Sequence, residues 1–286
     1  MISAPPFPPR ATWLGLVQAA LAEDVGPGDA TSDALIPPDL EGEARIEVRE
    51  PLVLAGIELA REVFARFRVD LEAQAPDAAE LEAGDLAASV RGPARGILTA
   101  ERTALNFLQH LSGVATNTRR FCRAVAGTRA QIVDTRKTTP GWRTLEKYAV
   151  RCGGGVNHRA GLYDGVLIKD NHIAITGSVA GAVKRARAKA PPGLRVQVEV
   201  ESLEMARSAI DAGADLLLID NQPLEVIARI VELAGESVPT EASGGVTLDN
   251  VAAVARTGVD RISIGALTHS ATAVDLSLEW SRTSSA

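Results

Sequence analysis

Apolar and polar positions follow two different rhythms along this chain. Up to about residue 95 the apolar runs are short and mixed: EARIEVRE, LVLAG, FRVDLEA and DLAASVRG read as strands, with one helix over residues 56–67 between them. Ahead of them WLGLVQAALAE, residues 13–23, has helical apolar spacing and runs into EDVGPGDATSD, a Gly, Pro and Asp cluster that predicts a turn. Together these make an α+β module. Residues 99–126, TAERTALNFLQHLSGVATNTRRFCRAVA, predict a long amphipathic helical segment, broken or bent near Ser112 and Gly113, that joins this module to the rest.

From Gln131 the pattern becomes one of short apolar runs, QIVD, GVLIK, RVQVEV, DLLLID, VPTEA and DRISI, alternating with helices near residues 178–190, 202–212, 223–234 and 247–257. Strand followed by helix, repeated, implies a parallel sheet, and this many units in a short stretch imply a closed or nearly closed β/α barrel. The residues at the end of each run decide where the chemistry lies. QIVD leads to Thr135, Arg136 and Lys137; GVLI to Lys169, Asp170, Asn171 and His172; RVQV to Glu199 and Glu201. DLLLI ends in Asp220 and Asn221, VPTEA in Ser243, Gly244 and Gly245, and DRISI in Ile264, Gly265 and Ala266. Six carboxyl-terminal strand ends carrying polar residues or glycines describe the active-site rim of a barrel.

Charge narrows what that rim holds. The chain of 286 residues has a formal net charge of -6, yet residues 134–172 carry Arg136, Lys137, Arg143, Lys147, Arg151, Arg159 and Lys169 against Asp134, Glu146, Asp164 and Asp170, a local excess of +3. A basic window in an acidic protein suits a small anion, because an extended polyanion needs a basic face on the whole domain. Only five residues are Lys against 25 Arg, and three of the five, Lys137, Lys147 and Lys169, fall in this window. Arg grips flat anions through a fork and Lys offers a movable point charge, a mixture suited to a ligand with both carboxylates and phosphates. A helix is predicted over residues 141–153, with Arg143, Lys147 and Arg151 along one face and Leu145, Tyr148 and Ala149 packing on the other; that ridge reads equally well as a solvated basic face.

At 46% hydrophobic content the chain can bury roughly three quarters of its extended surface, so core size sets no limit. Two cysteines, Cys122 and Cys152, provide no disulfide framework; MISAPPFPPR puts prolines where a secretory signal needs an apolar run, and no stretch reaches the length of a membrane span. The expectation is a soluble, cytoplasmic protein without a membrane partner. Aromatic content of 3% and a pI near 5.4 argue against nucleic acid as a partner.

SGGVTLDN and SIGALTH place glycines where strands turn towards helices, so backbone N–H groups there can hold a phosphate, although glycine also serves plain tight turns. GGGVNHR comes after a helix and not a strand, which excludes a dinucleotide fingerprint. Its glycines are read as letting the backbone pass close to a ligand while delivering His158 and Arg159. Glu199 and Asp220 either pair with nearby cations or hold Mg²⁺, directly or through water, bind sugar hydroxyls and stabilise a positive sugar carbon. His172 and Asn171 read equally as structural or functional, and His110 as a helix-face residue.

With these residues assembled, nearly the whole chain resembles the quinolinate phosphoribosyltransferase family. The resemblance runs from EDVGPGDATS through TAERTALNFLQHLSGVAT, DTRKTTPGWRTLEKYAVRCGGGVNHR, LIKDNH, VEVE, LLIDN, EASGG and ISIGALTH. It implies an α/β protein: an N-terminal α/β sandwich over residues 1–117, an open β/α barrel of seven-stranded type over residues 118–269, and a tail, 270–286, packing with the first domain. It also implies an intertwined homodimer in which one subunit's sandwich caps the other's barrel. The quinolinate site then falls on Arg136, His158, Arg159 and Lys169, with Thr135 and Lys137 completing the segment and Arg102 reaching in from the neighbouring subunit. The phosphoribosyl side falls on Lys137, Lys169, Glu199 and Asp220, with Mg²⁺ at the two carboxylates, and the 5-phosphate on Ser243, Gly244, Gly245, Ile264, Gly265, Ala266 and His269. Of these, Lys137, Lys169, Glu199 and Asp220 carry the catalysis. The departures, Ile219 before the Asp-Asn pair and the proline-rich start, touch none of this. Three rivals remain: a nicotinate-using transferase that releases no CO2, a Schiff-base barrel enzyme built on Lys169, and a non-catalytic binder of small anions.

Overall fold

The structure is a computed structural model and describes residues 3–281. After a 3-10 turn at Arg10–Thr12, the first elements are α1 (Leu14–Val25), α2 (Ala30–Leu35), β1 (Glu41–Val48), β2 (Leu52–Val53), α3 (Ile57–Ala65), β3 (Asp70–Ala73), β4 (Glu80–Leu81), β5 (Leu86–Pro93) and α4 (Ala94–Ala124). Then come β6 (Gln131–Val133), α5 (Arg143–Cys152), β7 (Val166–Ile168), α6 (Asp170–Thr176), α7 (Val179–Lys189), β8 (Val196–Val200), α8 (Leu203–Asp211) and β9 (Leu216–Asp220). The chain ends with α9 (Leu224–Ala234), β10 (Thr240–Ser243), α10 (Val251–Arg256), β11 (Arg261–Ser263), α11 (Ala266–His269) and β12 (Leu276–Trp280). No helix among the described residues is long and apolar enough to cross a membrane.

These elements form two compact units. The first takes the chain as far as Arg119, Thr138–Gly154, and the chain from Leu267 onward. Its main sheet is antiparallel, in the order β12-β1-β5-β3, beside the short pair β2-β4. β1 alternates strictly, burying Ala44, Ile46 and Val48, as a strand with one covered face must. Phe64, Leu59, Leu105, Phe107, Leu108 and Leu111 complete this core, each such side chain contributing about 1.5–3 kcal/mol by leaving water.

The expected break near Ser112 and Gly113 does not occur: α4 is one helix of 31 residues. Both small residues are there for contact. Ser112 Oγ accepts the Ala55 N–H at 3.0 Å, and a Cβ on Gly113 would run into the carbonyl oxygen of Thr272, so the glycine admits the returning tail and does not bend the helix. The turn cluster after α1 also hides α2, whose start is capped by Asp29 accepting from Thr31 N and Ser32 N.

The segment Thr138–Gly154, expected within the barrel domain, clusters with the first unit. Its helix α5 is not a basic ridge with one packed face, because Lys147 and Glu146 are both buried. Tyr148 donates to Asp77 at 2.6 Å, and that carboxylate also accepts the N–H groups of Gly56 and Ile57 at the start of α3. Glu146 accepts from Thr139 N at 3.1 Å and lies 2.9 Å from Nε2 of His110, which is therefore more than a helix-face residue. Gly153 does not make room for a ligand: a Cβ there would sit 2.5 Å from the Ala115 oxygen of α4.

The second unit, Arg120–Lys137 with Gly155–Ala266, is an open β/α barrel. Its six strands are all parallel, in the order β6-β11-β10-β9-β8-β7, with α7, α8, α9 and α10 in the crossovers. Six strands form where a barrel of seven-stranded type was expected, and beside them Val156 makes one isolated parallel bridge with Val133 of β6. The three glycines before Val156 have low strand propensity, and after it Asp134 takes up the Asn157 side chain and the His158 N–H. Ile132, Val198, Leu217 and Ile262 form the buried centre of the strands.

Candidate active site

All six parallel strands end on one rim, and the rim is built from strand-end residues that a barrel leaves free to face a ligand. Past β6, Asp134 is fully buried and accepts both Asn157 Nδ2 at 2.6 Å and His158 N at 2.8 Å, tying the 155–159 segment to the strand. The next residue, Thr135, turns the chain by accepting the Lys137 N–H at 3.0 Å. Arg136 then approaches Arg159 closely enough to penalise its charge. The Arg159 guanidinium is pushed below its usual range, first by burial and then by Arg136, with Asp164 opposing. Arg159 is steadied by Nη1 donating to the Gly165 carbonyl at 2.9 Å. Two partly covered guanidiniums side by side are a poor arrangement for an empty protein and a good one for a bound dianion.

Lys169 comes directly after β7. Its backbone N–H donates to His172 Nδ1 at 3.0 Å, so His172 caps α6 and orients the lysine from which that helix starts. Lys169 Nζ is 3.5 Å from Glu199 Oε2 on β8. Glu199 is held above the ordinary carboxylate range, chiefly by burial; Lys169 opposes this, and Asp220 on β9 reinforces it. Asp220 is therefore close enough for its charge to be felt, which puts two carboxylates and one ammonium on three neighbouring strand ends.

Asn221, next along, adopts a left-handed conformation with φ 51°, uncommon for a residue with a side chain, and its N–H donates to the Ser243 carbonyl at 2.7 Å. Gly244 and Gly245 have φ 90° and 60°. A Cβ on Gly244 would lie 2.9 Å from Asn221 N, so this glycine is required by close approach as well as by backbone angle. α10 begins only at Val251, and Asn250 Nδ2 closes the intervening loop on the Gly245 carbonyl at 2.9 Å. The glycine turn thus offers its own N–H groups, and the helix N-terminus expected behind it is displaced by a loop. After β11, Ile264 is buried with its N–H on the Val133 carbonyl, and Gly265 and Ala266 lead straight into α11.

Comparison with known proteins agrees with this geometry. The N-terminal domain of quinolinate phosphoribosyl transferase matches residues 29–112, and the C-terminal domain of the same family matches residues 114–279. The chain belongs to the quinolinate phosphoribosyl transferase family. Among its relatives, a probable nicotinate-nucleotide pyrophosphorylase (carboxylating) of Bacillus subtilis is 44% identical over 259 residues, covering 90% of this chain and 89% of that protein. The nicotinate-nucleotide pyrophosphorylase (carboxylating) of Mycobacterium leprae is also 44% identical, over 271 residues, covering 92% and 95%. The solved nicotinate-nucleotide pyrophosphorylase of Francisella tularensis superposes with a TM-score of 0.93 at 40% identity, covering 96% of this chain and 98% of that one.

In this phosphoribosyltransferase the second unit brings together Thr135, Arg136, Lys137, His158, Arg159, Lys169, Glu199, Asp220, Ser243, Gly244, Gly245, Ile264, Gly265 and Ala266. Arg102, exposed on α4, and His269, whose Nδ1 is 2.6 Å from Ser270 Oγ, belong to the first unit. Reading the sequence did not single out Asp134 as an anchor, Asn221 as the strained neighbour of the glycine turn, or Gln197 and Glu241. The last two carried a visible signal, since each is a large polar residue within a strand run of the parallel sheet.

Proposed function

We propose that this chain transfers the phosphoribosyl group of phosphoribosyl pyrophosphate to the ring nitrogen of quinolinate at this rim, with loss of CO2, giving nicotinate mononucleotide and pyrophosphate. The observation that carries the reading is the approach of Arg136 to Arg159 at the same rim as the Lys169–Glu199 pair. The two guanidiniums, with Lys169, hold the two carboxylates of quinolinate and orient its ring nitrogen. Lys137 takes the pyrophosphate, and the 5-phosphate lies against the Ser243–Gly245 turn and the Ile264–Ala266 turn, with the glycine N–H groups as donors.

The nitrogen lone pair forms the new bond to the anomeric carbon as the bond from that carbon to pyrophosphate breaks. Positive charge builds on the sugar in between, and Glu199 and Asp220 lie where they can stabilise it. The ring is then a pyridinium, so when the bond from C2 to its carboxylate breaks the electron pair stays on the ring, C2 takes up a proton, and CO2 departs. No separate electron sink is needed. The carboxylates of Glu199 and Asp220 on neighbouring strand ends fit Mg²⁺, a hard cation that takes one or two carboxylates together with substrate phosphates. When bound there it would neutralise the leaving pyrophosphate.

Arg102 is exposed on α4, and we assign it, as the family resemblance implies, to the quinolinate site of a second subunit in a homodimer. The test is to incubate the protein with quinolinate, phosphoribosyl pyrophosphate and Mg²⁺ and to quantify products. Equal amounts of nicotinate mononucleotide and CO2 are expected; mononucleotide formed from nicotinate without CO2, and none from quinolinate, would replace this reading with its nearest rival.

A further inference from the structure

Below the rim the barrel interior holds an acidic side chain that the mechanism leaves unused. Glu241, in β10, is fully buried, and neither of its carboxylate oxygens accepts a hydrogen bond. Gln197, in β8, is 5% exposed, and its Nε2 has no acceptor. The ring of His158 reaches both: Nε2 is 2.9 Å from Gln197 Oε1 and 3.5 Å from Glu241 Oε1. On its other side Nδ1 accepts the backbone N–H of Arg159 at 2.8 Å. A ring nitrogen that accepts carries no proton, so the neutral imidazole here has its proton on Nε2, aimed at two oxygens.

Burying a carboxylate without hydrogen bonds works against folding, and replacing such a group by an apolar side chain is often neutral or stabilising. Stability therefore does not account for a glutamate in the middle of β10, whereas the ring beside it has a clear use for one. We infer that Glu241 is a positioning residue for the transferase reaction: with Gln197 it fixes the Nε2–H tautomer and the orientation of His158. His158, through Nδ1, then fixes the backbone from which Arg159 meets quinolinate. Asp134 completes the arrangement by holding the His158 N–H at 2.8 Å, so the main chain on both sides of the ring is pinned. With Nδ1 on the Arg159 N–H and Nε2 on Gln197, the His158 ring acts on the site through the placement of Arg159. This inference rests on the assignment of Arg159 to quinolinate made under the proposed function.

The experiment compares Glu241→Leu and Glu241→Gln with the unaltered enzyme in steady-state kinetics and thermal melting, and adds the ¹⁵N spectrum of histidine-labelled wild-type protein. In Glu241→Leu the KM for quinolinate is expected to rise roughly tenfold or more while that for phosphoribosyl pyrophosphate stays within about twofold. The melting temperature should hold or rise. Glu241→Gln keeps an oxygen facing Nε2–H and is expected to restore the KM for quinolinate to within about threefold of wild type. Equal rises in both KM values, or unchanged KM values with a lower melting temperature, would overturn the inference. Should Glu241→Leu fail to fold, the spectrum still decides: the His158 signals, assigned by their loss in His158→Asn, are expected to show a protonated Nε2 and a bare Nδ1, and the opposite tautomer or a charged ring would refute the arrangement. A protein with no turnover of quinolinate would sink the proposed reaction and leave the tautomer result standing.

Discussion

Nζ of Lys169 lies 3.5 Å from Oε2 of Glu199, an ion pair joining the ends of adjacent strands β7 and β8, with the lysine half exposed and the glutamate nearly covered. The pair does not bring Glu199 down to an ordinary carboxylate, because burial outweighs Lys169 and the charges of Asp220 and Asp170 add to burial. A raised folded pKa means that the folded state holds the proton more tightly than the unfolded chain. Stability from this group is therefore highest below the unfolded value and declines as pH climbs from there through the folded value. Glu199→Gln removes that decline. As pH rises above the ordinary glutamate range the variant's melting temperature should fall less than that of the wild type, while its turnover drops by roughly a hundredfold or more. Wild-type turnover in the variant would take Glu199 out of the mechanism.

The homodimer reading concerns two residues of different units, Arg102 on α4 and Lys169 after β7. Each single variant, Arg102→Ala and Lys169→Ala, should be nearly inactive, the first chiefly through weaker quinolinate binding. If a site draws Arg102 from the other subunit, reassorting the two inactive proteins creates mixed dimers with one intact site each, and about a quarter of wild-type activity should return. Verified subunit exchange with no recovery would place Arg102 outside the site or inside its own subunit's.

The two cysteines differ in environment. Cys152 at the end of α5 is fully buried and its thiol is pushed up to about 12, mainly by that burial and then by Asp77. Cys122 on α4 is partly exposed. Thiolate and not thiol is the nucleophile, so at pH near 8 an alkylating reagent should modify Cys122 in the folded protein and reach Cys152 only after denaturation. Peptide mapping by mass spectrometry reads this directly; early labelling of Cys152 would mean that α5 opens far more readily than its packing suggests.

What the sequence disclosed about the fold was what backbone periodicity controls. The alternation of β1, the repeated strand and helix from β6 onward, and the polar strand ends all survive in the structure because period and burial are local properties of the chain. What it concealed depends on distant partners. Gly113 reads as a hinge until Thr272 is seen against it, the basic spacing of α5 reads as a ridge with one packed face until Glu146 and Lys147 are found buried, and Gly153 reads as room for a ligand until Ala115 is found beside it. Glu241 stood in plain view as an acid inside a strand run, but its meaning needs His158, which is remote in sequence.

Gly113 separates the two readings by the sign of one substitution. In a helix interior Ala is favoured over Gly by about 1 kcal/mol, so Gly113→Ala would stabilise a helix with room at this position. Here the added methyl meets the Thr272 backbone, which cannot rotate away, and overpacking of this kind costs about 1–3 kcal/mol. The expected result is a net loss of stability in thermal or urea unfolding. A gain would mean that the tail from Leu267 onward gives way easily.

Gly244 allows the phosphate turn to be tested apart from backbone strain, because Gly213 offers a matched control. Both have left-handed angles, φ 90° and 88°, so Ala at either position should cost about 1–2 kcal/mol of stability from the backbone alone. Gly213 has open space around it, whereas a Cβ on Gly244 would press on the backbone of Asn221 at 2.9 Å and push the two turns apart at the rim. If the N–H groups of the glycine turn hold the 5-phosphate, Gly244→Ala should raise the KM for phosphoribosyl pyrophosphate roughly tenfold and leave that for quinolinate nearly unchanged, while Gly213→Ala changes neither. Equal behaviour of the two variants in kinetics would reduce Gly244 to a turn residue and move the phosphate elsewhere on the rim.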